Sequence, residues 1–147
     1  MGIVAIPSIA DLLHLEDGFR GRDAEGGLLF YLNLGAVQID ALLDAKTKDP
    51  VTKWITTHIR DTMDIILKDG HPASIVCNMK NFSWRQHTHK TLLKVIDEAL
   101  QPYECTAIRR VTLQHPPTML KVAWKLVRPW TSAELRTLIE TSNKEVL

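Results

Sequence analysis

Three short apolar runs constrain this chain most. They are Leu28–Leu34, Ala73–Met79 and Ala107–Leu113. Each is too short for a core helix, and the first is bounded by Gly27 and Gly35. Continuous apolar runs of this length between turn residues read as strands buried on both faces.

The segments between the runs carry helical spacing. Asp49-Pro50 reads as a helix start, with Asp as cap and Pro pre-set for the first turn. Val51, Trp54, Ile55, Ile59, Met63 and Ile66 then form one apolar face, and Asp69-Gly70 ends it. Ser83 and Gln86 form a capping-box pattern ahead of a helix to Leu100. Pro116-Pro117 opens another, with Met119, Leu120, Val122, Ala123, Trp124, Leu126 and Val127 apolar, and Pro129 stops it. Thr131 and Glu134 cap a last helix to about Ile139. Shorter helices are expected at Ile9–Leu15 and Val37–Leu43, while Asp17-Gly18 and Gly21–Gly27 read as turn-rich loop. Strands alternating with helices predict an α/β fold, a mostly parallel β-sheet flanked by helices.

A chain of 147 residues fits one domain. Its net charge of +1 offers no concentrated basic patch, so no nucleic-acid partner is expected. Two cysteines, Cys77 and Cys105, are too few for a disulfide scaffold and point to a reducing compartment. The opening residues lack a basic leader region, and no apolar stretch approaches the roughly 20 residues that span a bilayer.

Catalytic signatures are missing. There is no nucleophile elbow and no phosphate loop, and the glycines from Gly18 to Gly27 precede the first expected strand instead of following it. His87 and His89 are two apart on an expected helix and point to different faces, so they make a poor metal pair. Cys77 and Cys105 lack Cys-x-x-Cys spacing and read as buried structural thiols. No cofactor, no metal and no enzyme activity is expected.

Arg109 to Ile139 stands apart. Its helix is apolar on more than one stripe and must be covered on two sides. One side is the sheet and the other is the next helix or a ligand; on pattern alone ordinary core is favoured over a ligand.

The same residues resemble the CRAL-TRIO lipid-binding family, over roughly Gly21 to Leu147. The resemblance rests on the Asp23-Ala24-Glu25-Gly26 turn and the strand Leu28–Gly35. It continues through Val76-Cys77-Asn78-Met79-Lys80-Asn81-Phe82-Ser83, Tyr103-Glu104-Cys105-Thr106 and Gln114-His115-Pro116. It ends on the signature Trp124-Lys125-Leu126-Val127-Arg128-Pro129-Trp130. Their order and spacing carry it more than any one motif.

The resemblance implies an α/β lobe with a buried apolar pocket for a single lipid, gated by a helix over Thr131 to Ile139. Wall residues are then Met79, Phe82, Trp84, Leu113, Met119, Val122, Ala123, Leu126 and Trp130. Lid residues are Leu135, Leu138 and Ile139, and Lys121, Lys125 and Arg128 would meet head groups. Function would be exchange between pocket and membrane, in a cytoplasmic protein peripheral to membranes. The alternative is a protein-interaction scaffold that keeps the fold without a working pocket. Cys105 stands where the family carries a phosphoinositide-reading glutamate, with Glu104 one residue early. The family's N-terminal helical lobe is expected to be absent or reduced to residues 1–20, a segment with one short helix, and residues 21–147 to form the lipid-binding domain. The family's closing segment is not matched, and the expectation is either a fragment or a minimal lobe whose exposed edge pairs with a protein partner or another copy.

Overall fold

A computed structural model describes residues 18–33, 44–46, 48–80, 82, 90–103 and 107–147, apart from the side chain of Trp130. The helices expected at Ile9–Leu15 and Val37–Leu43, and the capping box at Ser83, lie outside these residues.

The described strands form one sheet in the order β1 (Gly18–Arg22), β2 (Leu28–Asn33), β3 (Ala73–Asn78), β4 (Ile108–Gln114). β2, β3 and β4 run parallel, and β1 is an antiparallel edge. The helices are α1 (Lys48–Asp69), α2 (Lys90–Leu100), α3 (Leu120–Val127) and α4 (Ala133–Ser142), with a 3-10 turn at Arg128–Trp130 between the last two. The expected α/β class and the three parallel strands hold.

Four local expectations need correction. Gly18–Arg22 is a strand, not loop: Gly18 and Phe19 pair with Tyr31 and Phe30, and the two phenylalanine rings meet edge-on at 5.1 Å. α1 starts at Lys48, whose N–H bonds the Asp44 carbonyl at 2.8 Å, so Asp49 sits inside the first turn instead of capping it. α3 starts at Leu120, because Thr118 and Met119 form a turn ahead of it, closed by Leu120 N–H on the Pro117 carbonyl at 3.0 Å. α4 is capped by Ser132, one residue past Thr131, with its Oγ accepting from Leu135 N–H at 3.2 Å.

Alternation along the strands separates two faces. Phe30, Ile75, Cys77, Val111 and Leu113 face one way, and α1 lays Met63 and Ile66 against that side. An irregularity between Ala73 and Ser74 pairs them with Ile108 and Arg110, which keeps Ile108 on the Val111 face. The opposite face carries Tyr31, Val76 and Thr112, all only half-buried, so the strands are not buried on both faces as their sequence suggested. On that side the Arg20 guanidinium lies 4.2 Å from the centre of the Tyr31 ring.

Two devices fix the ends of the sheet. At β1–β2, Asp23 Oδ1 accepts from the Glu25 and Gly27 N–H groups at 3.0 and 2.9 Å, and Oδ2 accepts from the Ser74 hydroxyl at 2.6 Å. Arg22 then holds Asp69 at the end of α1 through two bonds of 3.1 and 2.8 Å. At β4, the outward edge is met by the end of α4. Ser142 Oγ accepts from Val111 N–H at 3.2 Å, and Asn143 Oδ1 accepts from Leu113 N–H at 3.0 Å. Asn143 Nδ2 donates to the Val111 carbonyl at 2.7 Å. A side-chain amide thus replaces a neighbouring strand and blunts an exposed edge.

Candidate functional site

Between the apolar sheet face and the four helices lies a cavity of about 300 Å³. The strands supply its floor: Phe30 and Leu32 from β2, Ile75 and Cys77 from β3, Ile108, Val111 and Leu113 from β4, and Met79 just beyond β3. α1 contributes Trp54, Ile55, His58, Ile59, Thr62 and Met63. α2 contributes Leu92, Leu93, Ile96, Asp97 and Leu100. α3 adds Leu120, Ala123, Trp124 and Val127, and Thr131, Leu135 and Ile139 close the remaining side. Each helix presents one stripe inward because its apolar residues recur every three or four positions.

Polar groups on this wall are few. The Thr62 hydroxyl donates to the His58 carbonyl at 2.8 Å and so is satisfied within α1. The His58 ring stacks on Trp54 at 4.9 Å and tilts against Phe30 at 6.2 Å. Trp124 turns its polar end away from the apolar space, its indole N–H donating to Glu140 at 3.0 Å. Glu140 also accepts from Arg128 Nε, so one carboxylate joins α3, the 3-10 turn and α4. The Arg128 and Trp124 bonds hold the Glu140 carboxyl below the usual glutamate range. A wall of this kind can hold an apolar molecule by burial, with few groups to orient a polar end. Among the described residues no group of three His, Cys, Asp or Glu could hold a metal ion.

The residues singled out from sequence divide into groups. Met79, Phe82, Leu113, Ala123, Leu135 and Ile139 all line the cavity. Leu138 does not; it packs against the Met63–Val111 cluster. Met119, Val122 and Leu126 do not either, because α3 turns them outward, where they are 52%, 50% and 52% exposed. Both α3 stripes have helical spacing, and the inward one is Leu120, Ala123 and Val127. Trp84 and the side chain of Trp130 lie outside the described residues. Lys121 and Lys125 are exposed, whereas Arg128 is engaged by Glu140.

Sequence reading missed the contributions of α1 and α2. Their apolar faces were recognised, and the signal that would have assigned them was that strand crossovers of one hand stack helices on a common sheet face. His58 belongs to no sequence motif, and it is half-buried on the cavity wall.

No described helix is long and apolar enough to cross a membrane. Residues 17–147 match the family model of the CRAL/TRIO domain. No curated protein matches the chain.

Proposed function

We propose that this chain, which belongs to the CRAL/TRIO domain family, binds one hydrophobic lipid in the cavity beneath α1–α4 and exchanges it with a membrane. The family is one of lipid binding and transfer. The observation that carries the finer reading is the cavity itself: about 300 Å³, with walls built from three strands and four helices and almost no polar group free to face a ligand. That volume lies at the small end of ligand sites, and favours a ligand held along one slender apolar body. Each methylene taken out of water contributes about 0.8 kcal/mol, so such a molecule needs no strong polar anchor.

In this reading α4 is the gate. It has no fully buried residue of its own. It closes the cavity with Leu135 and Ile139 and is latched to α3 through Glu140. Opening parts α3 from α4, and the lipid partitions between bilayer and cavity. The scaffold alternative calls for a filled pocket, and the open volume supports lipid binding over it.

The test is native mass spectrometry with lipid extraction of purified protein, followed by uptake from a cyclodextrin donor. A bound apolar molecule, or uptake of one, is expected. Ala123→Trp, which places a large ring on the wall, is expected to abolish uptake. An empty protein that takes up nothing would sink the reading.

A further inference from the structure

α3 is apolar on two sides, and only one of them faces the cavity. Leu120, Ala123 and Val127 point inward. Met119, Val122 and Leu126 form a second stripe, each about half exposed. At 3.6 residues per turn these three fall within about 60° of one another around the helix. Lys121 and Lys125, both exposed, flank the stripe on its solvent side.

α4 has the opposite character. Its exposed positions are Ala133, Glu134, Thr137 and Thr141, none of them large and apolar. The other exposed large apolar residues among the described ones, Ile65 and Leu67 on α1, sit beside exposed Asp61 and Asp64.

We infer that the Met119–Val122–Leu126 stripe of α3, with Lys121 and Lys125, is a docking surface for an anionic lipid bilayer. The occupant is identified by the pairing of flexible aliphatic side chains with adjacent exposed cations. The aliphatic groups enter the acyl boundary while the ammonium groups meet anionic head groups. The stripe itself is a helix face of three aliphatic side chains, which suits a fluid surface better than a shaped protein partner. Ile65 and Leu67 lie about 160° apart around α1 and make no joint stripe, so α1 is a poor competitor for such a surface. Because the cavity wall lies about 100° round α3 from this stripe, docking brings the cavity within about one helix diameter, ~10 Å, of the bilayer. The surface deepens the proposed function, since it places on the wall helix the contact that a gate would otherwise make. It rests on that reading only for its purpose.

The experiment is co-sedimentation of the full chain with phosphatidylcholine vesicles, with and without phosphatidylserine. The wild type is expected to bind only the anionic vesicles. Leu126→Glu or Val122→Glu is expected to abolish binding, and each of Lys121→Ala and Lys125→Ala to weaken it about fivefold. Ile65→Glu is expected to leave it unchanged. All the positions are exposed, and unchanged thermal melts check folding. Vesicle binding that Leu126→Glu does not alter, or no anionic vesicle binding by the wild type, overturns the inference; the latter result with retained pull-down of an acidic protein would point to a protein partner instead. Lipid uptake from cyclodextrin needs no bilayer and separates the two claims. Uptake without stripe-dependent docking leaves the proposed function standing alone, and docking without uptake leaves the surface standing alone.

Discussion

The indole N–H of Trp124 donates to a carboxylate oxygen of Glu140 at 3.0 Å, across the seam between α3 and α4. Arg128 Nε bonds the same oxygen. The two donors come from the cavity-wall helix and from the turn that follows it, and the acceptor comes from the helix proposed as gate. Glu140→Gln removes the ion pair and leaves one neutral acceptor for two donors. Charge-assisted bonds are about twice as strong as neutral ones. The variant is expected to lose hydrogen-exchange protection across Ala133–Ser142 and to exchange lipid several-fold faster, with little change in the global melt. Unchanged protection in α4 would show that Glu140 is no latch.

Asn143 carries a different load. Its side chain meets the Val111 carbonyl and the Leu113 N–H, and donates to the Ile139 carbonyl at 2.8 Å, while only 7% exposed. Asn143→Ala leaves those backbone groups without side-chain partners on the β4 edge. The cost of such unmade bonds is about 3 kcal/mol in all, or a drop in Tm of roughly 10 °C for a domain of this size. The bared edge should also promote self-association, readable by light scattering. Asn143→Asp keeps the acceptor and loses the donor, so it should fall between.

The parts of this architecture differ in how legible they are in sequence. β2, β3 and β4 are readable because each is a short apolar-rich run of strand length set between segments of helical spacing. β1 is not, since Gly18-Phe19-Arg20-Gly21-Arg22 has one apolar residue, and its pairing is decided by Phe19 meeting Phe30 across the hairpin. The last helix was legible in position, and its cap shifted by one because both Thr131 and Ser132 are capping types and Ser132, the better of the two, takes the position. In α3 periodicity identifies two apolar stripes and cannot say which of them faces in. The choice is made by tertiary packing of Leu120 against Cys77 and Met79. Asn143 left no pattern at all, because one amide bonding a strand edge thirty residues away has no local signature.

Acid should weaken the hairpin before the core. Asp23 is held below the usual carboxylate range, chiefly by the Ser74 hydroxyl and also by the Gly27 N–H. Asp69 is held low chiefly by Arg22. A carboxyl whose folded value is depressed adds stability above its unfolded value, near 4, and loses it as pH falls through the folded value. Tm is therefore expected to be flat from pH 7 to about 5 and to fall below about 4. Asp23→Asn should be less stable at neutral pH and show a shallower acid slope. An equal slope in the variant would remove Asp23 from the account.

Gly27 is the position in the same hairpin where an added side chain would meet backbone. It is buried beside the chain before β3, and a Cβ built on it would stand 2.0 Å from the Pro72 carbonyl oxygen. That contact is with backbone, so no side-chain rotation relieves it, and β2 or the Pro72 segment has to shift. The shift would pull on Asp23, whose Oδ1 takes the Gly27 N–H and whose Oδ2 takes Ser74. Gly27→Ala is expected to cost about 3 kcal/mol, the upper end for overpacking at a site that cannot yield. Gly18→Ala is the matched control, since nothing lies within 4 Å of a Cβ there. It should melt within roughly a degree or two of wild type, as surface changes away from special features do. Denaturant titration of the two variants decides the matter: similar midpoints would mean that the Pro72 approach is softer than the geometry indicates.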